Sequence, residues 1–306
     1  MSLTEFTVPS FAKINWALRV LGQREDGFHE LSTIFQTITL HDKLRFTPRE
    51  DEQLGLTCDS PEIPGDERNL ILRAGLALRE QRGISKGASI HLEKNIPVEA
   101  GLGGGSSNAA IALLGLARLW RIEVKKSELE GLGARLGADV PFFLTGGTAL
   151  GTGLGTAVKP MSDSPFRHLI VVKPGARVST AEAYKSLDAR ALTKADSDTI
   201  LSISRADEQN WDSHPDALHN DFEPVVLRMK PEIERAKRAL LKSGASGALL
   251  AGSGSSVFGV FDNQEAQERA FEELKQEKTW RIFVCATLAR GEYLKALGES
   301  ASPLLS

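Results

Sequence analysis

One segment constrains this chain more than any other. Pro97-Val98-Glu99-Ala100-Gly101-Leu102-Gly103-Gly104-Gly105-Ser106-Ser107-Asn108 runs straight into the apolar stretch 109–120. Glycines carry no Cβ, so successive backbone N–H groups can converge on one point. The helix expected over Ala109–Trp120 sets the positive end of its dipole behind them. That combination is a built-in phosphate site. It is not a Walker A loop, because no Gly-Lys-Ser/Thr follows, and Ser106 stands where GxGxxG needs its third glycine. A flexible connector is the competing reading, and the helix behind the loop argues against it. Glycine is also the compositional outlier, 28 of 306 residues against a usual ~7%. Half of the glycines fall in windows 101–105, 146–155 and 244–259. The second window reads as strand and turn.

The length suggests two domains, with the best linker at Pro160–Pro165 and hence units over 1–160 and 161–306. In the first half, Ala12, Ile14, Trp16, Leu18 and Val20 alternate with Lys13, Asn15 and Arg19, predicting a strand over 11–21. Its polar face carries Lys13 and Asn15. Asp26-Gly27 marks a turn before a second strand over 31–40. Asn69 caps a helix through Arg79 with Leu72 and Leu76 on its stripe, and Ala88, Ile90 and Leu92 alternate in a further strand. Capping-box spacing at Ser127/Glu130 and Ser179/Glu182 predicts helices ending near Gly137 and Leu187. Residues 190–222 are polar, helical or looped. Beyond them, helices over 232–241 and 264–278 alternate with strands over 257–261 and 280–284. This mixture of hairpins and helices is α+β, not a doubly wound sheet.

Composition removes several classes of function. A net charge of −3 leaves no basic surface for nucleic acid. Cys58 and Cys285 form no CxxC or Cys/His pattern, the N-terminal MSLTEFTVPS has no basic n-region, and 109–120 is too short to span a bilayer. A cytoplasmic protein without nucleic-acid or membrane partners is expected. GxSxG, HExxH and the protein-kinase HRD/DFG pair are absent. Lys13 alone reads as a solvated strand residue, and Asp139 in Gly-Ala-Asp-Val-Pro reads as a cap for a helix with Pro141 at its first position. Gly252-Ser253-Gly254-Ser255-Ser256 alone reads as a tight helix–strand connection. Beside an anion-binding loop, however, a lysine and a carboxylate make the minimum set for phosphoryl transfer.

Three strings, Phe-Ala-Lys-Ile-Asn (11–15), Pro-x3-Gly-Leu-Gly-Gly-Gly-Ser-Ser-Asn-Ala-Ala (97–110) and Leu-Ala-Gly-Ser-Gly-Ser-Ser-Val-Phe (250–258), resemble the signatures of the GHMP kinase superfamily. Gly-Gln-Arg-Glu-Asp-Gly-Phe-His (22–29), Asn-Leu-Ile (69–71) and Leu-Gly-Ala-Asp-Val-Pro (136–141) are similar to its branch acting on a cytidine diphosphate conjugate of methylerythritol, in the non-mevalonate isoprenoid pathway. The resemblance implies two lobes with the site between them: an N-terminal ribosomal-protein-S5-domain-2-like lobe and a C-terminal ferredoxin-like lobe. It implies Asp139 as catalytic carboxylate and Lys13 as the cation beside it. Pro97 and Gly101, Leu102, Gly103, Gly104, Gly105, Ser106 and Ser107 would wrap ATP, with Mg²⁺ carried on its phosphates and Ser107 as an indirect contact. Asn69 and Lys94 would line the adenine pocket.

On the acceptor side, the resemblance implies that His29 bonds the cytosine edge while Phe28 and Tyr184 sandwich the ring. Asn15 and Thr180 would meet the methylerythritol end, with Gly252, Ser253 and Gly254 beside the phosphates. Phe28 replaces the family's usual Tyr, and Tyr184 stands where Phe is common, so the hydroxyl moves to the opposite wall. Val98-Glu99-Ala100 replaces the usual Met-Gly-Gly, a change in the approach to the donor loop. A monomer or weak homodimer is expected. The alternatives are a GHMP kinase for another small alcohol, such as homoserine or a mevalonate derivative, and a silent nucleotide-binding protein. The second would need loss of Lys13 or Asp139, and both are present.

Overall fold

The computed structural model describes residues 4–187 and 217–305. Strands β1 (Phe6–Gln23) and β2 (His29–Arg49) form a long antiparallel hairpin, well beyond the 11–21 and 31–40 expected from alternation. β2 is long enough to pair with different strands along its length. Residues 43–49 pair with β4 (Gly87–Glu93), which pairs in parallel with β3 (Leu54–Cys58). Residues 31–36 pair with β5 (Thr148–Gly153), which carries β6 (Ala157–Pro160). The short β8 (His219–Asn220) joins in parallel on the free side of β1 and completes a seven-stranded sheet.

One face of this sheet is covered by α1 (Leu70–Arg82), α2 (Gly104–Trp120), α3 (Lys126–Leu136) and the four-residue α4 (Val140–Phe143). α2 is apolar nearly all round, as a helix buried on every side must be. Three local expectations shift. α2 starts inside the glycine run at Gly104, five residues before Ala109. α3 starts at Lys126, where the Glu128 carboxylate accepts from the Lys125 N–H, so Ser127/Glu130 is not its box. On α1 the buried stripe is Ile71, Leu72, Ala74 and Leu78, while Leu76 faces solvent. Asn69 does cap α1, its Oδ1 accepting from Ile71 N at 2.9 Å.

The second sheet holds β7 (His168–Lys173), β9 (Gly247–Leu250), β10 (Val257–Phe261) and β11 (Arg281–Ala286) in the order β11-β7-β10-β9, all antiparallel. α5 (Thr180–Lys185), α6 (Glu223–Met229) and α7 (Pro231–Lys242) lie in the chain between β7 and β9, and α8 (Gln264–Leu274) lies between β10 and β11. That is the split β-α-β arrangement of a ferredoxin-like sandwich. α5 has the predicted cap, Ser179 Oγ accepting from Glu182 N, and α8 stops short of 278. Residues 188–216, most of the polar 190–222 stretch, lie outside the described residues.

The two sheets meet face to face over Ala12, Ile14 and Trp16 on one side and Leu169, Val171 and Phe258 on the other. Trp16 and Phe258 touch edge to face at 5.8 Å. β1 is therefore buried on both faces, which alternation alone does not reveal. The chain ends by returning to its first half: α9 (Arg290–Leu297) and the 3₁₀ turn after it pack into the core under α2. Tyr293 is fully buried there, and its hydroxyl donates to the Phe143 carbonyl.

Candidate active site

A cleft of about 1430 Å³ runs between the lobes. At one end stands the glycine loop. Gly103 caps α2 in the left-handed conformation (φ 69°), and a Cβ there would come within 2.8 Å of the Phe143 ring. Gly101 is also left-handed (φ 75°), and its Cβ would lie 1.9 Å from the Ala251 carbonyl oxygen. The donor loop thus packs backbone to backbone against the 251–256 loop of the other lobe, tied by Ser256 N–H to Ala100 O at 3.1 Å. The helical ladder of α2 begins with Ser107 N–H donating to Gly103 O. The N–H groups of Gly104, Gly105 and Ser106 precede it and have no acceptor within the helix, so they are free for an anion. Upstream, the change to Val98-Glu99-Ala100 falls on the backbone: Glu99 takes φ 50°, a conformation glycine holds without cost.

Starting α2 at Gly104 also separates the two serines. Ser106 lines the cleft, whereas Ser107, about 100° further round the helix, is fully buried with its hydroxyl 2.7 Å from Ser10 Oγ. The expected Mg²⁺ contact through Ser107 is therefore corrected: its side chain faces the sheet. Gly254 also lies outside the cleft, backed by Leu250, Val226 and Val178, whereas Gly252 and Ser253 line it. The other residues expected to bind ATP or the acceptor, with Lys13 and Asp139, all line the cleft.

At the centre, Lys13 of β1 is 4% exposed, not solvated. Its Nζ lies 3.4 Å from Asp139 Oδ2, donates to Asn15 Oδ1 at 2.8 Å, and sits 5.7 Å from the centroid of the Phe35 ring. Asn15 Nδ2 donates to Thr33 Oγ1, which donates to Ala17 O, so the ammonium is held by a chain of bonds across the hairpin. The Lys13 N–H donates to Leu102 O, which joins the strand to the donor loop. Asp139 precedes α4 but makes no side-chain cap bond, so the capping reading fails and its carboxylate is left for Lys13 and the cleft.

At the far end, β2 starts at His29, and Phe28 lies just outside it in the turn of the hairpin. Phe28 is 61% exposed at the hairpin tip, on the rim of the cleft. Tyr184 stacks on His29, centroids 4.8 Å apart and planes at 30°, and meets Phe222 edge on. The ring stacked on Tyr184 is that of His29, the residue expected to bond the cytosine edge. Burial pushes the Tyr184 hydroxyl up to about 12. Thr180 Oγ1 lies 3.1 Å from Ser253 Oγ, fixing the start of α5 on the 251–256 loop.

In the adenine corner, Asn69 spends its side chain on Ile71 N and Pro64 O. The Lys94 amine donates to Asp42 Oδ2 at 2.7 Å and Ile96 O at 2.6 Å. Burial lowers the pKa of Lys94, opposed by Asp42. Asp42 and Asn220 were missed in the sequence. Asp42 lies just beyond the strand expected over 31–40, flanked by His41 and Lys43, and is fully buried. Asn220 donates to Leu250 O and Gly252 O and so shapes the 251–256 loop; nothing in the polar stretch before it marks it out. The β5–β6 turn, Leu154-Gly155-Thr156, also reaches the cleft wall, so the second glycine window is more than a turn.

Comparison with known proteins agrees with this geometry. The profile described as GHMP kinases N terminal domain matches residues 69–147, and that described as GHMP kinases C terminal matches 198–278. The chain is 41% identical over 272 residues to a 4-diphosphocytidyl-2-C-methyl-D-erythritol kinase of Syntrophus aciditrophicus, covering 89% of this chain and 95% of that protein. A crystal structure of 4-(cytidine 5'-diphospho)-2C-methyl-D-erythritol kinase superposes with a TM-score of 0.72 at 34% identity, covering 92% of this chain and 99% of that one. A homoserine kinase from Cytophaga hutchinsonii superposes with a TM-score of 0.70, at 18% identity, over 94% and 96%, a likeness of fold alone. Among the described residues no helix is long and apolar enough to cross a membrane.

Proposed function

The chain belongs to the GHMP kinase family and is an ATP-dependent kinase, and from that premise we propose that it transfers the ATP γ-phosphoryl group to the 2-hydroxyl of 4-diphosphocytidyl-2-C-methyl-D-erythritol. The observation that carries this reading is the Lys13–Asp139 pair, which lines one cleft together with the first turn of α2 and the His29/Tyr184 stack.

In this reading the N–H groups of residues 104–106 receive the donor phosphates. Asp139 orients the acceptor hydroxyl and takes its proton as the new O–P bond forms and the bond to the β-phosphate oxygen breaks, releasing ADP. Lys13, 3.4 Å from Asp139, stabilises negative charge on the transferred group. Asn15, held by Thr33, fixes the Lys13 amine. Among the described residues no group of three or more His, Cys, Asp or Glu side chains is placed to hold a metal ion. The oxygen donors lining the cleft near the loop, Asp139 and Ser106, suit a Mg²⁺ ion held mainly by phosphates. That ion would neutralise phosphate charge. The two free cysteines, Cys58 and Cys285, suit a reducing compartment, and we assign the enzyme to the cytoplasm.

A kinase for another small alcohol is the second reading. The stacked His29 and Tyr184 rings favour a planar heterocycle over homoserine or mevalonate. The test is a coupled ADP-release assay with each alcohol, with CDP or CMP as competitor. ADP release with the cytidine conjugate alone, inhibited by CDP, supports the proposal. Turnover of homoserine or mevalonate with no effect of CDP sinks it.

A further inference from the structure

Behind the donor loop lies a buried polar cluster that the chemistry above leaves unused. Asp42 of β2 has no solvent contact, and both of its oxygens are fully engaged. Oδ1 accepts from Asn95 N and Ile96 N, each at 2.7 Å. Oδ2 accepts from Lys94 Nζ at 2.7 Å and from Asn108 Nδ2 at 2.9 Å. Asn108, in the second turn of α2, also donates to Ser10 Oγ, which bonds to Ser107. One carboxylate on β2 therefore ties together two further pieces of chain: the segment leaving β4 toward Pro97, through the Lys94 amine and the 95–96 backbone, and the start of α2. The Lys94 amine abuts the loop itself, since a Cβ on Gly104 would lie 3.2 Å from it.

We infer that Asp42 is a positioning residue for the donor nucleotide: by fixing Lys94, the 95–96 backbone and Asn108 together, it sets the first turn of α2 where the phosphates bind. The inference rests on the donor site assigned above. Asp42 touches no nucleotide atom in this account and acts through its four partners. A carboxylate is required because every partner is a donor. An amide in its place turns one acceptor into an N–H aimed at two donors, the Lys94 amine and the Asn108 amide. Rotating the amide moves the same conflict onto the 95–96 backbone.

The test is calorimetric binding of a non-hydrolysable ATP analogue to the full chain, with CDP binding measured beside it. For Asp42→Asn the ATP-analogue affinity is expected to fall about 10–100-fold, the range for leaving buried donors unpaired, while CDP affinity stays at the wild-type value. Asn108→Ala, which removes one partner and leaves the charge pair intact, is expected to weaken the analogue less and CDP not at all. It keeps the inference testable if Asp42→Asn does not fold. The pH profile separates positioning from general support. The groups facing the Lys94 amine are Asp42 of β2, Cys58 of β3 and Arg281 of β11, while Asp59 accepts from the Lys94 backbone N–H. Without Asp42 the buried amine loses its counter-charge, so it deprotonates at lower pH and the loss of analogue affinity moves to lower pH.

Wild-type analogue affinity in a folded Asp42→Asn protein overturns the inference. So does an equal loss of analogue and CDP affinity, an unmoved pH profile, or no effect of Asn108→Ala when Asp42→Asn does not fold. A wild-type protein that binds the analogue but phosphorylates no cytidine conjugate refutes the proposed acceptor and leaves this inference standing.

Discussion

Gly101 and Gly105 stand four residues apart in one motif, and the structure assigns them opposite tolerances. An alanine at 101 must hold φ near +75°, which costs an L-residue about 1–2 kcal/mol. Its Cβ would also lie 1.9 Å from Ala251 O and 3.0 Å from Gly254 O, both backbone atoms. Relief requires the donor loop and the 251–256 loop to part by about 1 Å, with an overpacking cost of about 1–3 kcal/mol. The total, about 2–5 kcal/mol, corresponds to a fall in Tm of roughly 4–10 °C for a chain of this size. A displacement near 1 Å at the donor loop is also expected to lower kcat/KM about 100-fold. An alanine at 105 meets only Leu70 Cδ1 at 3.8 Å, on an ordinary helical backbone. It is expected to leave Tm unchanged or raise it, by up to about 1 kcal/mol of helix propensity. Thermal denaturation of both variants, with a coupled ADP assay on each, is the measurement. If Gly101→Ala melts and turns over like wild type, or Gly105→Ala is the more damaged, the loops do not meet as described and the reasoning fails.

Asp139→Asn is expected to lower kcat by about 10²–10⁴, the usual contribution of a positioned base, with little change in KM for ATP. A pair at 3.4 Å is worth about 5 kcal/mol at an effective dielectric near 20. Asp139 is 31% exposed and therefore screened, so Lys13→Met is expected to lower kcat about 10²-fold. Steady-state kinetics showing wild-type kcat in both variants would remove the pair from catalysis. His29→Ala and Tyr184→Ala are each expected to raise KM for the cytidine substrate about tenfold, as loss of a stacking face removes about 1 kcal/mol or more; KM for ATP is the internal control. Burial holds the Lys94 pKa below 10.5, so its charge is lost as pH rises through that lowered value. Between there and 10.5 the unfolded chain binds the extra proton, so this group makes stability rise with pH while ATP binding weakens. Comparing wild type with Lys94→Met in alkaline melts and ATP titrations checks both signs; parallel trends would contradict the assignment.

Much of this site was legible before the structure. The glycine run, Lys13, Asp139 and His29 each sit in short strings whose residue types imply their chemistry. The errors share a cause: periodicity reports one neighbour, and this fold supplies two. Lys13 reads as solvated because alternation hides the donor loop and the Phe143 and Phe35 rings packed over the polar face of β1. The resemblance sets Ser107 beside the phosphates, and the glycine run, which tolerates loop or helix equally, does not show that α2 starts early enough to turn its hydroxyl to Ser10. Asp42 and Asn220 were invisible because their partners are backbone groups and side chains far away in the chain. A buried carboxylate with four donors and an exposed one look the same as a letter. The His29/Tyr184 pairing depends on the bend of a hairpin tip, which no local pattern encodes.

Tyr293 gives the molecule an order of assembly. A ribosome delivers β1 through α4 long before it delivers α9, yet the core under α2 is completed by that last helix. The backbone at Gly146 runs so close to the Tyr293 ring that a Cβ would lie 2.2 Å from it, and the Phe143 carbonyl takes its bond from the Tyr293 hydroxyl. Until α9 has been added, the groove beside Gly146 and Phe143 has no aromatic ring to fill it and no hydroxyl to bond the Phe143 carbonyl.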